Sequence, residues 1–451
     1  MTGLHFDEAL VGGRWLENVR IELAAGRIAA IVPDSAPGPG DERHAVALPG
    51  MPNLHSHAFQ RGMAGLAETR GTGIDSFWSW RETMYRFALA MTPDDAEAIA
   101  AQAYVEMLEA GFTRVGEFHY LHHDLDGSPY SDPAEMAARI CAASDTTGVG
   151  LTLLPVLYAH AGFAGTAPQP QQRRFISDLD LFARMLERSR ALTAELDNAN
   201  LGVAPHSLRA VTPEELSALV PLAGDGPIHI HVAEQMREVD DCLSWSGRRP
   251  VEWLLENADL DRRWCLIHAT HMTGKETVGV AESGATVGLC PITEANLGDG
   301  IFDGLGFLAA GGRIGIGSDS NVEIGAAAEL RQLEYSQRLA RQSRNVLAES
   351  GDSTGRRLYE LGLQGGAAAL GQPLVGLTVG APADIVSLDA EHPALVARQR
   401  DSLIDSLIFS AGRSAIDCVW TMGRKQVSEG RHVRRDEVFR RFHAALSRLI
   451  A

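Results

Sequence analysis

The sequence predicts an α/β protein: a (β/α)8 TIM-type barrel with a small discontinuous β-sandwich domain built from both chain ends. Two observations lead to this prediction. Eight short runs rich in Val, Ile and Leu alternate with helix-like or loop segments through the middle of the 451-residue chain. Short strand-like runs punctuated by glycine and proline occupy both ends. The predicted boundaries are 1–48 for the N-terminal part of the β domain, 49–374 for the barrel, and 375–451 for the C-terminal part with a terminal helix.

The individual elements follow from local pattern. N-terminal strands are predicted at residues 4–10, 14–16, 20–23 and 27–32, because turn-forming pairs such as Gly12-Gly13 and Glu17-Asn18 separate them. Barrel strands are predicted at about residues 48–54, 112–118, 150–157, 199–205, 227–232, 264–268, 285–290 and 313–318. Strand-like runs return at 380–388, 415–422 and 425–427, and apolar residues at helical spacing predict a final helix near 436–449. Segment 162–170 is either a mobile lid or a surface excursion.

Composition restricts the classes of function. The formal net charge of −18 disfavours nucleic-acid binding, because phosphate contacts need a basic surface. The chain contains no uninterrupted apolar run of about 18 residues and no export signal at its N-terminus, so no membrane partner is expected. Five scattered cysteines without a Cys-x-x-Cys motif suit a reducing compartment, so we expect a cytoplasmic protein without a thiolate metal site.

Candidate metal ligands stand where predicted strands end. The run Leu48-Pro-Gly-Met-Pro-Asn-Leu-His-Ser-His57 places His55 and His57 after the first barrel strand. His231 ends the fifth strand, and Asp319 follows the eighth. Because the carboxyl ends of barrel strands meet at one mouth, these side chains are expected to converge. Three imidazoles and one carboxylate can hold one divalent metal; Zn²⁺ suits them best, and Fe²⁺ or Mn²⁺ can use the same ligands.

Two further residues have side chains suited to proton transfer. Glu234 closes the motif His231-Val-Ala-Glu234, and His268 ends the sixth predicted strand. Together with Asp319 they form the predicted catalytic set, which favours hydrolysis by a metal-activated water. A second His-x-His pair contains His229, which faces the same side of the strand as His231 but lies deeper in the barrel, so we do not expect it to bind metal.

These motifs resemble those of the amidohydrolase superfamily along nearly the whole chain. The matching residues are Pro49-Gly-Met-Pro-Asn-Leu-His-Ser-His57, His231-Val-Ala-Glu234, His268, Ser318-Asp319 and Gly380-Ala-Pro-Ala-Asp384. Binuclear members of that superfamily bridge two metals with a carboxylated lysine after the fourth strand. The corresponding run here, Gly202-Val-Ala-Pro-His-Ser-Leu-Arg209, contains no lysine. The resemblance therefore implies a mononuclear, deaminase-like member with one metal per chain, in which Glu234 carries the proton.

Within the superfamily, the chain most resembles the formimidoylglutamate deiminases. The supporting motifs are His231-Val-Ala-Glu-Gln235, Ala204-Pro-His-Ser-Leu-Arg209, Glu117-Phe-His-Tyr120 and Ser76-Phe-Trp-Ser-Trp-Arg81. The resemblance implies that a homodimeric enzyme hydrolyses N-formimino-L-glutamate to N-formyl-L-glutamate and ammonia in histidine degradation.

The implied substrate is a small dicarboxylate, and arginines can bind carboxylates with two parallel hydrogen bonds. Arg209 follows the fourth predicted strand and Arg81 lies in the aromatic motif, so both are candidate carboxylate-binding residues. Gln60, Tyr120 and His206 lie near strand-end motifs and complete the predicted substrate-binding set.

Two alternatives stay open on the residues alone. A mononuclear deaminase of an aminated purine, pterin or pyrimidine would use Phe77, Trp78 and Trp80 to stack on a ring. A noncatalytic metal-binding scaffold would leave Glu234 and His268 without a role. In the two enzymatic interpretations, the partner is a small molecule.

Overall fold

The structure is a computed structural model and describes residues 2–70 and 77–450. Ser76, the first residue of the aromatic motif that ends at Arg81, lies outside the described residues. The strands are β1 (Thr2–Val11), β2 (Arg14–Ala24), β3 (Arg27–Val32), β4 (Glu42–Pro49), β5 (Met51–Ser56), β6 (Phe112–His119), β7 (Gly150–Leu157), β8 (Ala199–Leu201), β9 (Ala204–Pro205), β10 (Ile228–Val232), β11 (Trp264–His268), β12 (Thr286–Leu289), β13 (Arg313–Ile316), β14 (Ile385–Leu388), β15 (Ile416–Thr421), β16 (Arg424–Ser428) and β17 (Arg431–His432). The α-helices are α1 (Phe77–Ala90), α2 (Pro93–Glu109), α3 (Glu135–Thr147), α4 (Leu179–Ala194), α5 (Pro213–Leu219), α6 (Met236–Ser246), α7 (Pro250–Asn257), α8 (Gly274–Ser283), α9 (Pro291–Leu297), α10 (Gly304–Ala309), α11 (Ala326–Arg341), α12 (Thr354–Ala369), α13 (Asp401–Ser406) and α14 (Arg435–Ile450).

Both ends of the chain contribute to one eight-stranded mixed sheet, in the order β17-β16-β15-β14-β4-β1-β2-β3. Strands β1 and β4 pair in parallel, and the other neighbours pair antiparallel. Apolar side chains from both ends, including Phe6, Ile21, Ile385 and Trp420, share one buried cluster. The two chain ends therefore combine into one sheet, as predicted, whereas the division of that sheet into two sandwich layers stays a prediction.

The prediction of two separate strands at 14–16 and 20–23 is wrong, because β2 is continuous. Its pairing with β1 persists on both sides of Asn18, from Glu17 opposite Glu8 to Val19 opposite Phe6. Asn18 has a φ of 48°. Asparagine tolerates this left-handed region better than most residues, so the turn-like pair Glu17-Asn18 distorts the strand without ending it.

The parallel strands form two sheets, one ordered β5-β6-β7-β8 with β9 paired to β7, and one ordered β10-β11-β12-β13. Isolated parallel bridges join the two sheets at both edges, between Val203 and Ile228 and between Ser56 and Asp319. Helices alternate with these strands along the chain, and the architecture is of the TIM-barrel type. The carboxyl ends of β5, β10, β11 and β13 therefore meet around one mouth.

The first predicted barrel strand, 48–54, is divided between two sheets. Strand β4 ends at Pro49 in the mixed sheet, and β5 begins at Met51. Between them lies Gly50, where an added Cβ atom would be only 2.3 Å from the side chain of Thr113. Only glycine fits this close approach, and the apolar run forms two strands on either side of it. We retain the domain boundaries 1–48, 49–374 and 375–451 as a proposal.

Segment 162–170 packs beside α6. Gly162 and Thr166 form an antiparallel bridge, and Phe163 stacks on Trp245 of α6 with ring centroids 5.3 Å apart. These contacts favour the interpretation of segment 162–170 as an ordinary surface loop over its interpretation as a mobile lid.

Helix α14 covers the predicted range 436–449 and buries Val438 and Ala445. Its apolar face packs against the protein, as the spacing of its apolar residues predicts. Among the helices of the described ranges, none is both long and apolar enough to cross a bilayer.

Candidate metal centre and active site

The four predicted metal ligands converge at the carboxyl ends of the parallel strands, and all four are buried. The Nε2 atom of His55 lies 3.2 Å from Nε2 of His57 and 3.1 Å from Nε2 of His231. The Oδ1 atom of Asp319 lies 3.5 Å from Nε2 of His55 and 3.3 Å from Nε2 of His57. A tetrahedral site with bonds of roughly 2.0–2.1 Å puts its ligand atoms roughly 3.3 Å apart. The four atoms therefore have the spacing of ligands to one metal ion.

Hydrogen bonds at the opposite ring nitrogens determine which histidine atoms face the cluster. Nδ1 of His57 donates to the carbonyl of Phe118 at 3.0 Å, and Nδ1 of His231 donates to the carbonyl of His206 at 3.1 Å. With Nδ1 protonated, each Nε2 atom presents a lone pair. Lone pairs this close repel one another, and a cation between them removes the repulsion.

Burial keeps these imidazoles neutral. It lowers the pKa of His55 to about 3 and also lowers the pKa of His57 and of His231. For Asp319, burial raises the pKa, but hydrogen bonding from His55 and the neighbouring charges outweigh it and leave the pKa below its ordinary value. Neutral imidazoles and an ionised carboxylate are the protonation states that bind a divalent cation. The residues therefore fit a mononuclear metal site.

A buried hydrogen-bond network ties β5 to the turn that carries Asp319. The Asn53 amide donates to Oγ of Ser318 at 2.7 Å and accepts from the Ser318 N–H at 3.0 Å. Oγ of Ser318 donates to Asn321 at 2.6 Å. The Asn321 amide in turn donates to the carbonyls of His57 and Asp319. Asp319 has a φ of 45°, an uncommon conformation that this network supports.

Glu234 lies in the turn that leaves β10. Glu238 of α6 accepts hydrogen bonds from the backbone N–H groups of Ala233 and Glu234, at 3.2 and 3.3 Å. Burial raises the pKa of Glu234 to about 7, although the charges of His268 and Arg209 partly offset this effect. A carboxyl group with a pKa near neutrality can both take up and release a proton.

His268 ends β11 among three carboxylates. Its Nε2 atom lies 3.8 Å from Glu234 and 3.8 Å from Oδ2 of Asp319, and its Nδ1 atom lies 3.2 Å from Glu294. Burial lowers the pKa of His268, but the three carboxylates outweigh burial and raise the pKa to about 10. A protonated imidazole here can stabilise negative charge that develops between Glu234 and Asp319.

Glu294 orients the His268 ring and also accepts a hydrogen bond from the Cys290 N–H at 2.8 Å. Because a misoriented histidine is a poorer partner for the reacting group, we expect Glu294→Ala to lower kcat by about 10- to 100-fold and to change KM by less than about threefold. Glu294→Gln keeps an acceptor oxygen and should retain more activity. Steady-state kinetics, with thermal unfolding to verify the fold, tests this; unchanged kcat in Glu294→Ala would contradict it.

A cavity leads outward from the metal ligands, and all five predicted substrate-binding residues line it: Gln60, Arg81, Tyr120, His206 and Arg209. The Gln60 amide donates to the Tyr120 hydroxyl at 2.7 Å. Glu234, His268 and Asp319 line the inner end of the same cavity. The structure thus brings all the predicted site residues to one place.

The two predicted arginines lie against Trp78 of α1. The guanidinium carbon of Arg81 is 4.6 Å from the centre of the Trp78 ring, and that of Arg209 is 5.9 Å away. The Nε atom of Arg209 is buried and has no hydrogen-bond partner among the residues that the structure describes. A buried donor without a partner in a cavity wall is available to a bound anion.

His229 lies outside the metal cluster, as expected, and donates from Nε2 to the carbonyl of Ala369 at 2.7 Å. The supporting residues Asn53, Asn321, Glu238 and Glu294 are not predicted from sequence. Two of them could have been found by position, because Glu238 and Glu294 each lie in the first turn of a helix that follows a barrel strand.

Comparison with known proteins agrees with this geometry. Residues 46–425 match the amidohydrolase family, and residues 1–45 match the N-terminal domain of formimidoylglutamate deiminase HutF. The chain belongs to the amidohydrolase family, which confirms the resemblance predicted from its motifs.

Individual relatives cover nearly the whole chain. It is 49% identical over 453 residues to a formimidoylglutamate deiminase of Pseudomonas aeruginosa, with 100% of both chains covered. A solved amidohydrolase from Brucella melitensis is 58% identical, covers 100% of both chains and has a TM-score of 0.97. A 5-methylthioadenosine/S-adenosylhomocysteine deaminase of Natronomonas pharaonis is 27% identical over 429 residues, which are 92% of this chain and 89% of that protein.

Proposed function

We propose that the protein is a metal-dependent hydrolase that converts N-formimino-L-glutamate and water to N-formyl-L-glutamate and ammonia. One observation carries the proposal: a single cavity is lined by metal ligands and Glu234, which are buried, and by Arg81 and Arg209, which are partly exposed. This order suits a linear substrate whose formimino carbon reacts while its carboxylates lie beyond. The full-length similarity to a formimidoylglutamate deiminase supports the same substrate.

His55, His57, His231 and Asp319 would hold one divalent metal per chain. Three imidazoles and a carboxylate suit Zn²⁺ best, and Fe²⁺ or Mn²⁺ can use the same donors. When bound, the ion supplies Lewis acidity that makes water a stronger nucleophile at neutral pH.

The chain's own residues account for the movement of protons. Asp319 orients the attacking water and can accept its proton. Glu234 delivers a proton to the imino nitrogen, so that this nitrogen leaves as ammonia and not as an amide anion. His268 stabilises the charge that develops at the reacting carbon. Water adds to the formimino carbon, and both of its protons pass to the imino nitrogen. The bond from this carbon to that nitrogen then breaks and the added oxygen becomes the formyl carbonyl, so one water is consumed for each ammonia released.

The outer residues hold the substrate. Arg209 and Arg81 pair with its carboxylates, since both guanidinium groups lie in the cavity wall. Tyr120, positioned by Gln60, and His206 contact the middle of the substrate. We also propose, from the family resemblance, that the enzyme is a cytoplasmic homodimer of histidine degradation.

A deaminase of an aminated purine, pterin or pyrimidine is the second candidate. The aromatic side chains of Phe77 and Trp80 line the cavity and could stack on a ring. The Nε atom of Arg209, which has no hydrogen-bond partner within residues 2–70 and 77–450, favours an anionic substrate instead. A noncatalytic scaffold is disfavoured, because Glu234 and His268 lie beside the cluster without belonging to the metal-ligand set.

Metal removal is expected to abolish ammonia release, because without a bound cation water is too weak a nucleophile at neutral pH to attack the formimino carbon. Dialysis against a chelator, followed by addition of about one equivalent of Zn²⁺, Fe²⁺ or Mn²⁺ per chain, tests this and identifies the effective ion. Full activity in protein shown by elemental analysis to be metal-free would contradict the proposed metal dependence.

A further inference from the structure

Arg237 brings a third guanidinium group to the ring of Trp78, which the two arginines of the cavity wall also contact. It is the second residue of α6 and lies three residues after Glu234. Its guanidinium carbon is 4.4 Å from the centre of the Trp78 ring, a shorter distance than the 4.6 Å of Arg81 or the 5.9 Å of Arg209. The contact joins α1, which carries Arg81, to the helix that follows Glu234. Arg237 therefore lies against the same ring as two arginines of the cavity wall.

The three cations around one ring repel one another, and the attraction of the ring face offsets only part of this repulsion. Arg237 has one carboxylate nearby among the described residues, that of Asp241 at 3.8 Å. Both side chains are more than half exposed, so water and salt screen this pair. A chain with a net charge of −18 thus concentrates positive charge at this point, where an anion would relieve the repulsion.

We propose that Arg237 is a specificity-determining residue: packed on Trp78, the ring that Arg81 and Arg209 also contact, it adds positive charge beside the cavity and favours substrates with two carboxylates over those with one. This inference rests on the proposed function, whose substrate carries two carboxylates. Arg209 and Arg81 lie in the cavity wall and pair with the substrate directly. Arg237 is 65% exposed and acts from the solvent side, where the Trp78 ring keeps its charge close to the cavity.

The test compares N-formimino-L-glutamate with N-formimino-L-glutamine, whose side-chain amide leaves one carboxylate. Arg237→Gln is expected to lower kcat/KM for the dicarboxylate by about 5- to 20-fold and for the monocarboxylate by less than about threefold. Trp78→Leu, which removes the ring that holds Arg237, is also expected to reduce the ratio of kcat/KM for the dicarboxylate to kcat/KM for the monocarboxylate. Arg237→Lys keeps the charge, but lysine stacks less well on an aromatic ring. Its ratio of kcat/KM for the two substrates should therefore lie between the ratios of Arg237→Gln and of the unsubstituted protein.

Arg184→Gln is the matched control, because Arg184 is an exposed arginine on α4 outside the cavity lining. It removes the same charge and is expected to leave both substrates unaffected. The inference would be overturned if Arg237→Gln lowered kcat/KM equally for the two substrates, or if its kcat/KM values equalled those of Arg184→Gln. The unsubstituted protein is assayed first. Its failure to release ammonia from N-formimino-L-glutamate would overturn the proposed function itself.

Discussion

Glu234→Gln is expected to lower kcat by at least about a hundredfold while the protein keeps its full metal content. Glutamine has nearly the shape of glutamate but cannot carry a proton between water and the imino nitrogen. Burial raises the pKa of Glu234 to about 7, which suits a group that both accepts and releases a proton near neutral pH. Single-turnover kinetics and elemental analysis of the same sample measure the two quantities together.

The control for this variant is Glu187→Gln, which removes an exposed carboxylate from α4. It is expected to have the kcat of the unsubstituted protein. If Glu234→Gln also kept near-normal turnover, Glu234 would have no part in proton transfer, and the mechanism would need another acid.

Arg209→Met is expected to raise KM for N-formimino-L-glutamate by at least about 30-fold, because loss of one partner of a buried charge pair costs about 2–5 kcal/mol. The effect on kcat should be smaller, since the proposed partner of Arg209 is a substrate carboxylate and not the reacting carbon. Its buried Nε atom has no partner among the described residues, so the folded protein loses no hydrogen bond there. The thermal unfolding midpoint should therefore change little.

Steady-state kinetics of Arg209→Met beside Arg184→Met separates this effect from a general change in charge. Arg184 is exposed on α4, and its replacement should leave KM unaltered. A normal KM in Arg209→Met would remove this arginine from the substrate site and would strengthen the ring-deaminase alternative.

The convergence of the four candidate metal ligands could be predicted because each lies at the end of an apolar strand or directly after it. In parallel strands that share one mouth, a position at the strand end determines where a side chain points. His55, His231 and Asp319 therefore meet although 176 residues separate the first two. The same argument excludes His229 from the ligands, because His229 lies two residues before His231 in β10 and therefore farther from the mouth.

The supporting residues could not be predicted in this way. Asn53 contacts Ser318 across 265 residues of sequence, and both belong to runs that resemble ordinary strand ends. Glu294 contacts His268 from α9, the helix that follows the neighbouring strand β12. An acidic residue in the first turn of a helix is common for reasons of the helix dipole alone. Their roles depend on which backbone groups need partners, and only the folded chain shows this.

The predicted strand boundaries are wrong where tertiary contacts override the local pattern of apolar and turn-forming residues. The apolar run 48–54 contains a change of sheet at Gly50, where the chain passes close to the side chain of Thr113. The pair Glu17-Asn18 has turn-forming composition, yet pairing with β1 carries the strand through it. The alternation of strands and helices predicted the TIM-barrel type, because it depends on many elements and tolerates such local errors.

The most direct test of the central claim is ammonia release by metal-analysed protein from N-formimino-L-glutamate, with adenine, guanine and cytosine as parallel substrates. We predict turnover of the formimino compound alone, with about one metal ion per chain. Turnover of a ring amine instead, or no turnover of any substrate by metal-loaded protein, would contradict the proposed function.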